Sequence, residues 1–376
     1  MLVSISHLFL QHYWWGIISL LASLLVFLLF VQGGQTLIYT LGKSDTERTM
    51  IVNSLGRKWE FTFTTLVTFG GALFASFPLF YATSFGGAYW VWMAILFCFI
   101  IQAVAYEFRS KPNNFLGKRT YEIFLFINGA FGTFLLGTVV ATFFTGSQFS
   151  VNEYNLSRWE TPYRGLEAVL NIQNLALGFS VFFLARVLGL LYIMNSIEDA
   201  NILERSKKHL LYNAIPFLVL FLFFVIRLLF VEGFAIDPET KEVFMEPNKY
   251  LHNFLQMPLN TIIFLVGVIL VLWGIGSTIL KGTTKGIWYS GSGTILTIFS
   301  MFILVGFNNT SFYPSTFDLQ SSLTIENASS SFYTLKAMLI VSFLVPFVVV
   351  YIWYAWKSIS KIKITEAEME KETHSY

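Results

Sequence analysis

One cysteine, Cys98, stands among 376 residues, which excludes an internal disulfide framework and any thiolate metal cluster. Charge is nearly as scarce. Asp, Glu, Lys and Arg together make 12% of the chain, about half the share usual for soluble proteins. The formal net charge of +2 names no partner by sign. Only five histidines are present, His7, His12, His209, His252 and His374, and none lies inside an apolar run. Because haem iron in a membrane usually takes an axial histidine, this argues against a haem held wholly by this chain. His12 and His252, near the ends of apolar runs, are the two placed to assist a partner's site. No H-E-x-x-H, phosphate loop or dinucleotide fingerprint occurs, so nucleotide hydrolysis is discarded. Met1 to Gln11 lacks a basic n-region and a small-residue cleavage site, so the first apolar run is expected to remain as a spanning helix.

What the chain has in excess is apolar length. Hydrophobic residues make 55% of it, and 41 Phe, 17 Tyr and 10 Trp supply lipid-facing, packing and interfacial surface. The apolar residues fall into runs of roughly 20, the length that crosses a bilayer. Secreted, nucleic-acid-binding and ordinary cytoplasmic classes are thereby excluded. Nine spans are predicted, at 13–40, 62–83, 88–108, 121–146, 166–195, 211–231, 255–280, 290–308 and 335–356. The fold expected is an all-α polytopic membrane protein, with residues 1–360 as one transmembrane helical domain and 361–376 as a charged cytoplasmic tail. No internal repeat is evident.

Basic residues set the topology. Seventeen of the 24 Lys and Arg residues fall in alternate loops and the tail (Lys43 to Lys58, Arg109 to Arg119, Arg205 to Lys208, Lys281, Lys285 and Lys357 to Lys371) and five on the other side. The positive-inside rule makes the richer side cytoplasmic, with the N-terminus outside and the C-terminus inside. Three outer segments, 147–165, 232–254 and 309–334, read as polar loops without a ligand pattern.

The candidate functional groups are the polar ones in or beside spans. Glu60, Thr64 and Thr68 are spaced i, i+4, i+8, so they share one helix face. That arrangement suits a proton-entry path, a polar packing seam, or simply an acid favoured by its helix N-terminus. Glu107 and Arg109 close the third span and Glu122 opens the fourth, which suggests an ion network fixing that hairpin. Arg186 lies deep in the fifth span, where an unpaired cation is costly. Its expected partner is a carboxylate of another helix, or an anionic group of a cofactor or partner subunit. Arg227, near the end of the sixth span, can reach the interface by snorkelling. Gln32, Gln35, Asn308 and Asn309 need internal bonds or water. Pro78, Pro216, Pro258 and Pro346 fall within predicted spans and are expected to kink them.

Several blocks resemble subunit II of the cytochrome bd-type quinol oxidases. They are Gly42-Lys43-Ser44-Asp45-Thr46-Glu47-Arg48, Asn53-Ser54-Leu55-Gly56, Trp59-Glu60 and the run from Gly70-Gly71 to Phe77-Pro78. Shorter blocks follow in order: Phe108-Arg109-Ser110-Lys111, Val151-Asn152-Glu153-Tyr154 and Asn327-Ala328-Ser329-Ser330-Ser331. The resemblance implies nine helices in two four-helix bundles plus a peripheral helix. It implies a bacterial cytoplasmic-membrane complex that oxidises quinol and reduces O2 to water. Haems b558, b595 and d then belong to a partner, subunit I. This chain supports assembly and stability, with a structural quinone or lipid and a small accessory single-span subunit as further associates. The family's acids in a helix-one Thr-Asp-Gly-Phe-Asp motif stand here as Gln32 and Gln35, and its Trp-Asp-Gly-Asn motif stands as Trp59-Glu60-Phe61-Thr62. Glu60 therefore inherits the carboxylate at the implied proton entrance. Two readings compete with this one: a secondary transporter using Arg186 and Glu60 as coupling groups, and a scaffold with no proton path.

Overall fold

The computed structural model describes residues 6–360 and 363–365. Helix α1 (His7–Leu28) begins on Ser6, whose hydroxyl accepts the Phe9 N–H at 3.1 Å, and continues almost unbroken into α2 (Phe30–Gln35). The following stretch, expected as a loop, contains α3 (Asp45–Gly56). A reciprocal Ser44–Glu47 capping box opens it and its second half is buried. Helix α4 (Trp59–Ser76) then stops at Phe77, because Pro78 disfavours helical geometry in the residue before it. The Ser76 carbonyl released at this break accepts the Ser330 N–H at 2.8 Å. A short turn, Pro78–Tyr81, and a π-helical turn, Ala82–Gly87, complete the predicted second span.

Helix α5 (Tyr89–Phe108) leads to α6 (Lys118–Ile127) and α7 (Thr133–Thr145), which are joined through a π-helical turn at Asn128–Gly132 into one long rod. Helix α8 (Ile172–Ser196) is capped by Asn171, so Glu167 and Asn171 lie before the helix rather than inside a span. Helix α9 (Ala200–Phe230) has 31 residues, about 46 Å at 1.5 Å per residue. It therefore overreaches a hydrocarbon core of about 30 Å and carries Arg205, Lys207 and Lys208 beyond it. A short α10 (Lys249–Gln256) precedes α11 (Pro258–Lys281) and α12 (Gly286–Gly306), and α13 (Phe332–Ser342) and α14 (Val345–Ile359) end the helical chain. Of the four span prolines, only Pro216 sits inside a helix. Pro78, Pro258 and Pro346 stand in first turns, where the missing N–H costs nothing.

Among the described residues, seven helical stretches are long and apolar enough to cross a membrane, and eight if α13 and α14, bent by 44° to each other, form one span. Helix α4, diluted by Glu60 and four threonines, falls outside that set. Among the described residues the fold is all-α apart from two short hairpins in stretches read as polar loops. These are β1 (Phe149–Val151) with β2 (Ser157–Trp159), and β3 (Glu232–Ile236) with β4 (Val243–Pro247), both antiparallel. The Ser329–Ser331 cluster ties ends together: Ser331 caps α13, and Ser329 accepts from Gln11 Nε2 at 2.7 Å. Asn308 and Asn309 turn the chain with positive φ, and the Asn308 side chain donates to Asn253 and Gln256.

Small residues set the helix spacing. A Cβ on Gly33 of α2 would lie 1.8 Å from the Ala185 carbonyl of α8, so the two backbones touch there. Two apolar clusters make the core. One centres on Trp15, Phe77, Phe143 and Phe312, the other on Phe30, Leu55, Val187 and Ile193. Of the tail at 361–376, only 363–365 are described; Ile364 is buried and exchanges backbone hydrogen bonds with Ser196 and Glu198.

Candidate functional site

Glu60 is the second residue of α4, and Glu60, Thr64 and Thr68 do share a face. That face is the exterior of the chain; all three residues are exposed, with Val67 and Phe74 beside them. The hydroxyls do not point down a line toward the carboxylate. Thr64 Oγ1 donates to the Glu60 carbonyl at 2.6 Å and Thr68 Oγ1 to the Thr64 carbonyl at 2.8 Å. This is the back-bonding expected of helical threonine, and it leaves each hydroxyl oxygen able to accept from outside. Thr62, on the opposite side, is buried and donates to the Leu28 carbonyl of α1 at 3.1 Å. No cation among the described residues forms an ion pair with Glu60.

The expected hairpin network forms only in part. Arg109 and Glu122 are buried together, with Arg109 Nε and Nη2 both donating to Glu122 Oε1, at 3.1 and 2.7 Å. The Tyr39 hydroxyl donates to Glu122 Oε2 at 2.5 Å, and Arg109 Nη2 reaches Thr49 Oγ1 at 3.3 Å. Glu107 lies outside this network. It points away from the helix interface and pairs with Lys111 at 3.1 Å on the surface. The two acids stand on neighbouring helices, α5 and α6, and only Glu122 is buried.

Arg186 departs further from expectation. No carboxylate among the described residues meets it. Its Nε donates to Asn213 Oδ1 of α9 at 2.6 Å and its Nη1 to Thr36 Oγ1, just beyond α2, at 2.9 Å, with the guanidinium 5.4 Å from the centre of the Phe182 ring. Arg186 is half-buried, and the acceptors that meet it are neutral side-chain oxygens rather than a carboxylate. Arg227 is exposed in the last turn of α9, where a cation also suits the helix dipole.

Polar side chains of α2 and α5 meet inside the bundle. Gln32 Nε2 donates to Gln102 Oε1 at 3.3 Å and Gln35 Nε2 to the Tyr106 hydroxyl at 3.1 Å, while the ring of Trp59 stacks on Tyr106. The positions expected to carry acids in the resembled family are thus held by an amide cluster. The histidines take structural contacts. His7 reaches the Ser330 carbonyl, His12 stacks on Phe307, and His252 Nδ1 lies 2.7 Å from Glu246; His374 is outside the described residues. No group of three or more His, Cys, Asp or Glu side chains that could hold a metal occurs among the described residues.

Lys58, Tyr39 and Asn213 are the participants that sequence reasoning missed. A polar Asn in the apolar run after Tyr212 was the one available signal; Lys58 beside Trp59 reads as an ordinary interfacial cation, yet it is 1% exposed.

Together these features define a multi-pass helical membrane protein whose buried Arg109–Glu122 pair joins its own helices and whose Glu60, Thr64 and Thr68 face points outward. Residues 10–359 match the family of cytochrome bd terminal oxidase subunit II, and the chain belongs to that family. Similar proteins include the cytochrome bd-I ubiquinol oxidase subunit 2 of Escherichia coli K12, 27% identical over 97% of this chain and 98% of its own length. The probable cytochrome oxidase subunit 2 of Haemophilus influenzae is 26% identical over 99% of both, and the Bacillus subtilis subunit 26% identical over 82% and 83%. The fold resembles the bd oxidase of Geobacillus thermodenitrificans, with a TM-score of 0.63 at 12% identity, covering 93% of this chain and 96% of that one. The chain is thus a multi-pass inner-membrane subunit of an electron-transferring respiratory oxidase, and the transporter reading is set aside.

Proposed function

We propose that this chain holds a haem-bearing subunit I in place and completes a cytoplasmic proton entrance at their shared surface. The observation that carries the reading is the outward face of α4. Thr68 stands about 12 Å along the helix from Glu60, at a depth where lipid offers hydroxyls and carboxylates nothing. A protein surface against that face would supply acceptors and water, and Glu60 would pass protons along it. The wholly unburied α14 and the exposed apolar side chains of α4 and α5 extend the same kind of surface.

In this reading α4 with its following turns and the bent α13–α14 pair each cross the membrane. That gives nine spans in two four-helix bundles plus a peripheral helix, with the N-terminus outside and the C-terminus cytoplasmic. Residues 1–360 form one membrane domain and 361–376 a cytoplasmic tail. Haems b558, b595 and d reside in subunit I, which takes electrons from quinol and reduces O2 to water. The small accessory subunit and a structural lipid or quinone remain associates of the same proposal. An apolar cavity of about 70 Å3 among Ala22, Leu25, Phe69, Leu136, Phe143 and Phe224 favours a small apolar guest such as O2 over a quinone ring.

The test is Glu60→Gln in the intact complex, measuring oxygen consumption with quinol alongside the haem spectrum. Turnover slows several-fold with haem content intact. Unchanged turnover removes Glu60 from proton delivery and leaves the scaffold reading.

A further inference from the structure

Arg186 reads from the sequence as a mid-span cation, yet its partner on α9 sets its depth differently. Asn213, which accepts from Arg186 Nε, stands about 26 Å along the helix from the outer end at Phe230. A hydrocarbon core is about 30 Å thick, so the guanidinium lies just inside the cytoplasmic edge and within reach of headgroups. The bonds to Asn213 and Thr36 use only part of its N–H donors, and the others meet no acceptor among the described residues. The residue is half-buried, on the face of α8 that also carries Phe182 and the exposed Phe179.

Further positive charge stands above it. Arg186, Lys208 and Lys43 are all close enough for their charges to act on the His209 ring, one turn before Asn213. Lys43 and Lys208 are exposed; the Lys43 ammonium donates to the Tyr39 carbonyl at 3.2 Å and pairs with no acid. Two acids stand nearby, and neither reaches Arg186. Glu47 is fully taken up: Arg205 donates to both of its oxygens, and the Lys43 and Ser44 N–H groups donate to Oε2 at 2.6 and 3.2 Å. Glu204 is exposed, more than one turn further out on α9 than His209. We infer that this face binds the phosphate of an anionic phospholipid, with the Arg186 guanidinium as the deep contact and Lys43 and Lys208 at the headgroup.

A lipid suits the site better than a free phosphate because apolar surface continues from it toward the membrane centre. Ile215 and Val219 of α9 are exposed below His209, as Phe179 of α8 is below Arg186, and they offer acyl chains a path. The exposed Tyr212, its ring 6.1 Å from that of His209, is a side chain of the kind that settles at headgroup level. The guanidinium fork matches a phosphodiester, and basic sites between helices on the cytoplasmic side have this recognition chemistry. An anionic headgroup is favoured over a zwitterionic one, whose own ammonium would stand among Lys43, Lys208 and Arg186. The inference gives a place to the lipid proposed above and rests on the proposed topology for the side on which the headgroup lies; it does not depend on the role of Glu60.

The experiment uses the intact complex, delipidated in mild detergent and titrated with phosphatidylglycerol, phosphatidylcholine or inorganic phosphate. Thermal stability and native mass spectrometry are the readouts. Phosphatidylglycerol is expected to stabilise the complex and remain bound, while the other two do neither. Arg186→Gln weakens phosphatidylglycerol binding about tenfold or more, as loss of a charge-assisted hydrogen bond requires. The double variant Lys43→Gln with Lys208→Gln changes two exposed side chains, weakens binding several-fold, and decides the matter by itself if Arg186→Gln does not assemble. Equal response to phosphatidylcholine, full reproduction by inorganic phosphate, or unaltered affinity in either variant would each overturn the inference.

Discussion

Replacing Glu122 by leucine isolates the energetics of the buried hairpin pair. Arg109 and Glu122 are 1% and 4% exposed, and the acid receives two bonds from the guanidinium and one from Tyr39. Removing one member of a buried pair costs about 3–5 kcal/mol, because the charge that stays behind loses its compensation in a low-dielectric site. Glu122→Gln retains an acceptor and the side-chain shape while losing the charge, so about half that loss is expected. The double variant Arg109→Met with Glu122→Leu removes both charges and should be less destabilised than the two singles combined, by at least about 2 kcal/mol. Unfolding of the complex in mixed micelles, titrated with dodecyl sulfate and followed by tryptophan fluorescence, reads these differences. Glu107→Gln is the internal control: its surface pair with Lys111 should be worth less than about 1 kcal/mol and weaken in salt. A Glu122→Leu cost below about 1 kcal/mol, or strict additivity in the cycle, would refute the argument that burial makes this pair matter.

Two further predictions concern helix assembly. Arg186→Leu strands Asn213 Oδ1 and Thr36 Oγ1, so a loss of roughly 2–3 kcal/mol and a lower yield of assembled complex are expected; normal yield would mean the guanidinium ties nothing together. Gly33→Ala forces a methyl within 1.8 Å of the Ala185 carbonyl and should destabilise α2 against α8 by more than about 1 kcal/mol, whereas Gly276→Ala meets nothing within 4 Å and should be silent in the same unfolding assay.

The contrast between the charged sites shows what distance along the chain conceals. Arg109 and Glu122 are 13 residues apart, joined by a short connection that obliges their helices to be neighbours. Their meeting was legible, although not that Glu107 would be left out, since that turns on helix rotation. Arg186 finds partners 27 and 150 residues away. No local pattern ranks Asn213 and Thr36 above the carboxylate that cost arguments favoured. The helix breaks divide similarly. Proline signals an interruption, but whether it kinks a helix or starts one depends on whether tertiary contacts take up the freed carbonyl, as Ser330 does at Ser76.

By itself the sequence determined membrane residence, the approximate apolar runs and the face shared by Glu60, Thr64 and Thr68, because hydropathy, length and helical period are local properties. Tertiary structure decided that this face is turned outward, that Lys58 is enclosed, and that amides fill the space between α2 and α5. Such outcomes follow from how close small residues allow helices to come and how each helix is rotated, which are properties of pairs of helices rather than of any one segment.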